Sequence, residues 1–344
     1  MYPPFQPALE LNRAFYAEVV APLIGAVPHA AGRLGWGSEI LGFDTERSTD
    51  HGWGPQLQVF VDADVVEDVQ HRIDASLPET FRGWPVRYGW DAVPVRHHVY
   101  VSTLEQWLVG RLGCVPPQPL RSVDWLRFPQ QRLLGVTAGA VYHDGVGALT
   151  ATREKLRWFP DDVWLWMLAC QWKRIAQEEA FVGRTAQVGD EIGSRLVTAR
   201  LARELMRLWF LFERTYWPYS KWFGSAFARL PHSEVLADPS ARALDAAGYA
   251  PREAALVAAY EAVAARHNEL GITEFVEPTT RLYYGRPYQV LLADRFVDAC
   301  IARVTDPALR SLPLIGSVDQ FVDSTDVLDY PAVYPTAAAV YDAS

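Results

Sequence analysis

The chain has 344 residues, half of them hydrophobic, 21% charged and 12% aromatic, a balance that fits a folded protein of about two domains and excludes a disordered chain. A formal charge of −9 gives no electrostatic footprint for nucleic acid or an anionic membrane, and no apolar run approaches the roughly 18 residues of a membrane span. Cys114, Cys170 and Cys300 lie far apart without metal spacing and read as reduced thiols, and residues 1–7 lack a signal-peptide pattern, so a cytoplasmic location is expected.

In chain order, Leu11, Phe15, Val19 and Leu23 recur near helical spacing and predict an amphipathic helix over residues 9–24. A short strand is expected at residues 31–34, followed by the turn Gly35-Trp36-Gly37-Ser38. Residues 56–61 read as a strand with Leu57, Val59 and Val61 on one face. A helix over residues 64–77, strands at 86–88 and 97–101, and a helix over 104–112 complete a small mixed α/β domain. Beyond residue 155 the pattern is helical. One helix is predicted from Asp161, after Pro160, to Gly183. A second runs from Gly189 to Arg214, with Ile192, Leu196, Leu201, Leu205, Leu208 and Phe212 on its buried side. Pro218, Pro251 and Pro287 mark the expected starts of further helices. The expectation is therefore an α+β fold: an N-terminal helix (1–29), a small mixed-sheet core (30–150), an α-helical bundle (151–325) and an extended tail (326–344).

The most specific local feature is Gly37-Ser38, then eleven residues, then Asp50-His51-Gly52 leading into the strand at 56. A Gly-Ser turn lets backbone N–H groups and a hydroxyl approach phosphate oxygens, and two carboxylates at i and i+2 of a strand share a face on which Mg²⁺ can be held against those phosphates. Here Asp50 supplies the first acidic position and Gly52 stands at the second, with Glu39, Asp44 and Asp62 the nearest other carboxylates. Gly35-Trp36-Gly37 is not a dinucleotide fingerprint, because Ile40 stands where the third glycine belongs.

This arrangement resembles the polymerase-β-like nucleotidyltransferase superfamily. More particularly, it resembles a bacterial nucleotidyltransferase-like family of unknown function, whose acidic stretch usually reads Asp-His-Asp-Trp-Gly-Pro. The resemblance is carried by the block from Gly37-Ser38-Glu39 to Asp44, by Ser48-Thr49-Asp50-His51 and by Trp53-Gly54-Pro55. Asp124-Trp125-Leu126, Gly183-Arg184 with Asp190, and residues 216–222 extend it, so that it spans residues 30–225. It implies a nucleotidyltransferase core and a C-terminal helical domain but no particular substrate; the leading expectation is an enzyme acting on a small-molecule substrate in an interdomain cleft, by Mg-dependent transfer from a nucleoside triphosphate. In that picture Gly37 and Ser38 contact phosphate, and Asp50 is the catalytic, metal-holding residue. Tyr219 and Lys221 bind nucleotide, while Glu39, Arg184 and Asp190 face the substrate. Two alternatives stay open: a catalytically reduced member that binds a nucleotide or a partner, and the same fold turned to other small-molecule chemistry. No nucleic-acid or membrane partner is expected.

Other polar groups have plainer readings. Only Lys155, Lys173 and Lys221 are lysine, which singles out Lys221 among Tyr216, Trp217, Tyr219 and Trp222 as a phosphate-binding cation or a snorkelling surface residue. Lys173, Gln177 and Arg184 fall on one face of the expected 161–183 helix, and Arg184 with Asp190 could form an ion pair. His97-His98 reads as a strand-end pair and His143-Asp144 as part of a turn.

Overall fold

A computed structural model describes residues 3–91 and 93–341. The chain divides into two compact units, the first made of Met1–Gln118, Gln131–Arg157 and Asp329–Val333, the second of Pro119–Gln130, Trp158–Leu328 and Tyr334–Ser344.

The first unit is built on a five-stranded mixed sheet of β1 (Ala30–Arg33), β2 (Gln56–Phe60), β3 (Arg87–Trp90), β4 (Val93–Ser102) and β5 (Ala140–Asp144), in the order β3-β4-β2-β1-β5. β2 and β4 pair in parallel, with Gln56 opposite His98 and Gln58 opposite Tyr100; the other pairings are antiparallel. A parallel pair needs a crossover, and the Val66–Ser76 helix lies within it. The N-terminal helical run, Ala8–Phe15 continued by a π turn at Tyr16–Val20 and by Ala21–Ile24, buries Leu11, Phe15, Val20 and Ile24 in one cluster with Leu57, Val59, Ile73 and Val99. All five residues of β2 are buried, so the predicted alternation gives the direction of its side chains but not their exposure. β5 was not anticipated. Its Val141 and Tyr142 sit between glycine-flanked segments that read as turn, and His143-Asp144 ends this strand instead of forming that turn.

The second unit is helical. The Asp161–Glu178 helix is buried all round from Val163 to Trp172, as expected of a helix inside a core and not on its surface. Trp166, Trp172 and Trp209 are completely enclosed, and Cys170 and Cys300 are buried thiols. The predicted 161–183 helix ends at Glu178, and the Glu179 carboxylate that follows receives the backbone N–H groups of Leu291, Leu292 and Ala293; a separate helix follows at Phe181–Gln187. Lys173 and Arg184 therefore do not share a helix face, and Lys173 bonds Asp294 at 2.8 Å.

The Glu191–Phe212 helix buries Leu201, Leu205, Leu208 and Phe212, but Ile192 and Leu196 are 74% and 66% exposed, against expectation, because that side of the first turns faces solvent. Helices at Ser220–Phe227 and Tyr249–Glu269 match the proline-marked starts, and Glu234–Asp245 is an additional one. No helix begins at Pro287: a two-stranded hairpin (Arg281–Leu282 with Gln289–Val290) occupies that region and the helix starts at Asp294. The tail forms short helices at Thr325–Asp329 and Tyr334–Ala338 instead of an extended wrap, with buried Tyr334 donating to the Leu328 carbonyl at 2.8 Å; residues 342–344 lie outside the described residues. No described helix is long and apolar enough to cross a membrane.

Candidate functional site

A cavity of about 380 Å³ opens on the α/β unit, near the lower end of the roughly 300–1,000 Å³ typical of small-molecule sites. Trp36, Trp90 and Trp107 form its walls, and Arg33, Arg96 and Arg111 bring guanidinium groups to it. Its floor is the face of β2 that carries Gln56 and Gln58, opposite the face that packs Leu57 and Val59 into the core. Both amides are committed at one end: Gln58 Oε1 accepts from the Leu34 N–H at 2.8 Å, and Gln56 Nε2 donates to the Gly52 carbonyl at 2.5 Å. Beside them, buried His98 donates from Nε2 to the Tyr88 carbonyl (2.9 Å) and accepts at Nδ1 from the Tyr100 hydroxyl (2.8 Å). Burial lowers its pKa, which agrees with that neutral pattern.

The turn after β1 organises the charges. Arg33 is 2% exposed; its guanidinium donates to the carbonyls of Leu34 (2.9 Å) and Trp36 (3.1 Å) and to the carboxylate of buried Glu39. Gly35, at φ +107°, permits the close approach of Arg111, since a Cβ there would stand 2.8 Å from a guanidinium nitrogen. Arg111 lies over the Trp107 ring at 5.8 Å. Burial, then the charges of Arg132 and Arg33, lowers its pKa to about 10. Arg132 pairs with Asp329 at 3.3 Å, whereas Arg111 and Arg96 form no ion pair with any described carboxylate.

The predicted site residues are distributed as follows. Gly37 and Ser38 complete the turn beside the cavity, with Ser38 Oγ 3.4 Å from Ser48 Oγ, and Glu39 is held by Arg33. Asp50 ends a 3₁₀ turn (Glu46–Asp50) ahead of β2; its side chain is 68% exposed and bonds His51 Nδ1 at 2.9 Å. Gly52 adopts φ +64°, and a Cβ there would meet the rings of Trp36 and Trp90 at 3.5 and 3.6 Å. The β4 residues opposite the β2 glutamines are His98 and Tyr100. Mg²⁺ sites use one or two carboxylates and near-octahedral oxygen geometry. Among the described residues no group of three His, Cys, Asp or Glu is placed to hold a metal, and the cavity lining itself supplies no carboxylate ligand for a resident Mg²⁺.

The remaining candidates belong to the helical unit. Arg184 lies over the Phe181 ring at 5.6 Å and lines a cavity of about 440 Å³ with Arg286 and Val188. Asp190 caps the Glu191–Phe212 helix, accepting from the Gly193 N–H at 2.8 Å, and no ion pair with Arg184 forms among the described residues. Tyr219 precedes the Ser220–Phe227 helix, and exposed Lys221 lies 5.1 Å from the Trp222 ring.

Arg33, Arg96, Arg111 and the two glutamines were missed in the sequence. One signal was available: if Leu57 and Val59 face the core, Gln56 and Gln58 must share the opposite face of the same strand. The arginines carried none, because they come from three separated segments.

Residues 125–223 match a family described as a domain of unknown function, DUF4037. That segment contains Trp125-Leu126, Gly183-Arg184, Asp190 and residues 216–222, and it excludes Gly37 through Gly52. Among solved structures, the chain is similar to a nucleotidyltransferase-like protein from Exiguobacterium sibiricum 255-15, at 11% identity over 77% of this chain and 78% of that one, with a TM-score of 0.33. No curated protein matches.

Proposed function

We propose that this chain is a nucleotidyltransferase-like protein whose α/β unit binds a nucleotide-like small molecule in the arginine- and tryptophan-lined cavity, without the paired carboxylates that metal-assisted nucleotidyl transfer requires. The observation that carries this reading is Gly52: the position of the second acid has no side chain, adopts a left-handed backbone and lies against Trp36 and Trp90. The sequence resemblance supports the nucleotidyltransferase-like assignment; the family matched over residues 125–223 is one of unknown function. In-line transfer draws on metal ions that clamp the attacking and leaving oxygens, and Asp50, exposed and bonded to His51, is a single ligand for such an ion. In the helical unit, Lys221 beside Trp222 and Arg184 beside Phe181 each place a cation near a ring, and we assign them to contacts with an acceptor or partner.

Manganese titration followed by electron paramagnetic resonance, with each nucleoside triphosphate present and absent, tests this without knowledge of an acceptor. The expected result is no stoichiometric protein-bound Mn²⁺ and an unchanged nucleotide affinity in Asp50→Asn. A stoichiometric Mn²⁺ site that disappears in Asp50→Asn would overturn the reading.

A further inference from the structure

We infer that the cavity of the α/β unit takes a nucleoside phosphate free of divalent metal, with Arg111 and Arg96 holding the phosphate charge and the tryptophans flanking the ring system. This rests on the reading above and names its ligand. Glu39 pairs with Arg33 and Asp329 with Arg132, and neither Arg111 nor Arg96 forms an ion pair among the described residues, although Asp329 also acts on Arg111 at longer range. Partial withdrawal of a guanidinium from water without a direct ion pair is costly, yet Arg111, half-buried, is seated against the backbone at Gly35 and beside Trp107.

The unsatisfied groups point the same way. Arg33 Nε and Trp107 Nε1 are buried without a partner, and both are donors only. Together with the two free guanidiniums they form a set that lacks acceptors, the complement of phosphate oxygens. No carboxylate lines the cavity to share a metal.

The planar part of the ligand has its own surface. Trp36 is half exposed at the mouth, its ring 6.2 Å from that of Trp90 at an angle of 57°, so one indole face is available to a base. Gly52 sits at the foot of this aromatic wall in a left-handed backbone conformation.

Metal independence separates this inference from the reading it rests on. Magnesium in solution neutralises the phosphate that the arginines attract, so it should compete with them and weaken binding. Calorimetry on the full chain, with ATP, adenosine and inorganic tripolyphosphate, each in EDTA and in excess Mg²⁺, reads this directly. ATP is expected to bind in EDTA and more weakly with Mg²⁺, adenosine to bind at least about tenfold more weakly than ATP, and tripolyphosphate to fall between them. Arg111→Met should weaken ATP binding by roughly ten- to a hundred-fold while melting at or above the wild-type temperature. Arg96→Ala, at an exposed position, should weaken it several-fold and guards against misfolding of the first variant. Adenosine binding as tightly as ATP, or ATP binding unchanged in both variants, would overturn the phosphate assignment and leave the small-molecule cavity standing. Binding of ATP only with Mg²⁺ would overturn the metal-free claim, and no binding of any probe would overturn this inference and the reading beneath it together.

Discussion

Arg33 stays buried because Glu39 is buried beside it. The guanidinium meets two backbone carbonyls and one carboxylate. Removing one partner of such a pair leaves the other charge stranded, which typically costs about 3–5 kcal/mol. Glu39→Gln should therefore lower the unfolding free energy read from urea denaturation by an amount in that range, softened by the two carbonyls that remain, with a correspondingly lower midpoint. An unchanged midpoint would mean that Glu39 is free to serve a ligand. Arg111 differs: it has no ion pair among the described residues, so its loss is expected to cost the fold less than the loss of Glu39.

At the scale of elements, Asp190 shows how one residue's role depends on the helix that begins there. Its carboxylate accepts from the Gly193 N–H and so satisfies one of the donors that a helix start leaves open. Asp190→Ala should destabilise the helical unit by about 1 kcal/mol, read from thermal denaturation, while Asp190→Asn retains most of the stability. Equal losses in both variants would show that charge, not capping, is what the position requires.

The elements themselves were legible in the sequence wherever periodicity was local. The N-terminal helix, the 56–61 and 97–101 strands and the 104–112 helix follow from spacing alone, as the structure bears out. What spacing could not reveal was tertiary: the carboxylate of Glu179, where the predicted helix gives out, accepts from backbone more than a hundred residues away. The cavity failed to show for the same reason. Its glutamines alternate along one strand, but Arg33, Arg96 and Arg111 become neighbours only when the sheet and the following helix assemble.

At the scale of the whole molecule, pH acts through a few buried groups in the helical unit. Burial alone would raise the pKa of Glu204, but the hydrogen bond from Arg174 and the charges of Arg207 and Arg174 hold it at about 2. Its stabilising contribution is therefore present above the ordinary value of 4.5 and is lost as pH falls towards 2. Burial also lowers His267 to about 4, where Nδ1 accepts from Trp172 Nε1 at 3.2 Å. Protonation removes that acceptor, so its contribution is lost as pH falls from 6.5 towards 4. Asp319 runs the other way: burial raises it to about 7, so its contribution is present at low pH and is lost as pH rises through 7. Thermal melts of Glu204→Gln across the acid range should show a flattened loss below pH 4.5, and Asp319→Asn should melt higher than wild type above pH 7. Acid and alkaline limbs identical to wild type in both variants would contradict this assignment.

Asp329 belongs to the same unit as Arg132 although the chain places them almost two hundred positions apart. Proteolytic clipping before Asp329, or a fusion that pulled this segment away, would strip the counterion from Arg132 and raise the positive potential felt at Arg111. A cut far along the polypeptide would thereby retune the appetite of an early-encoded site for anions, and tags attached at that end are not innocent bystanders in an affinity measurement.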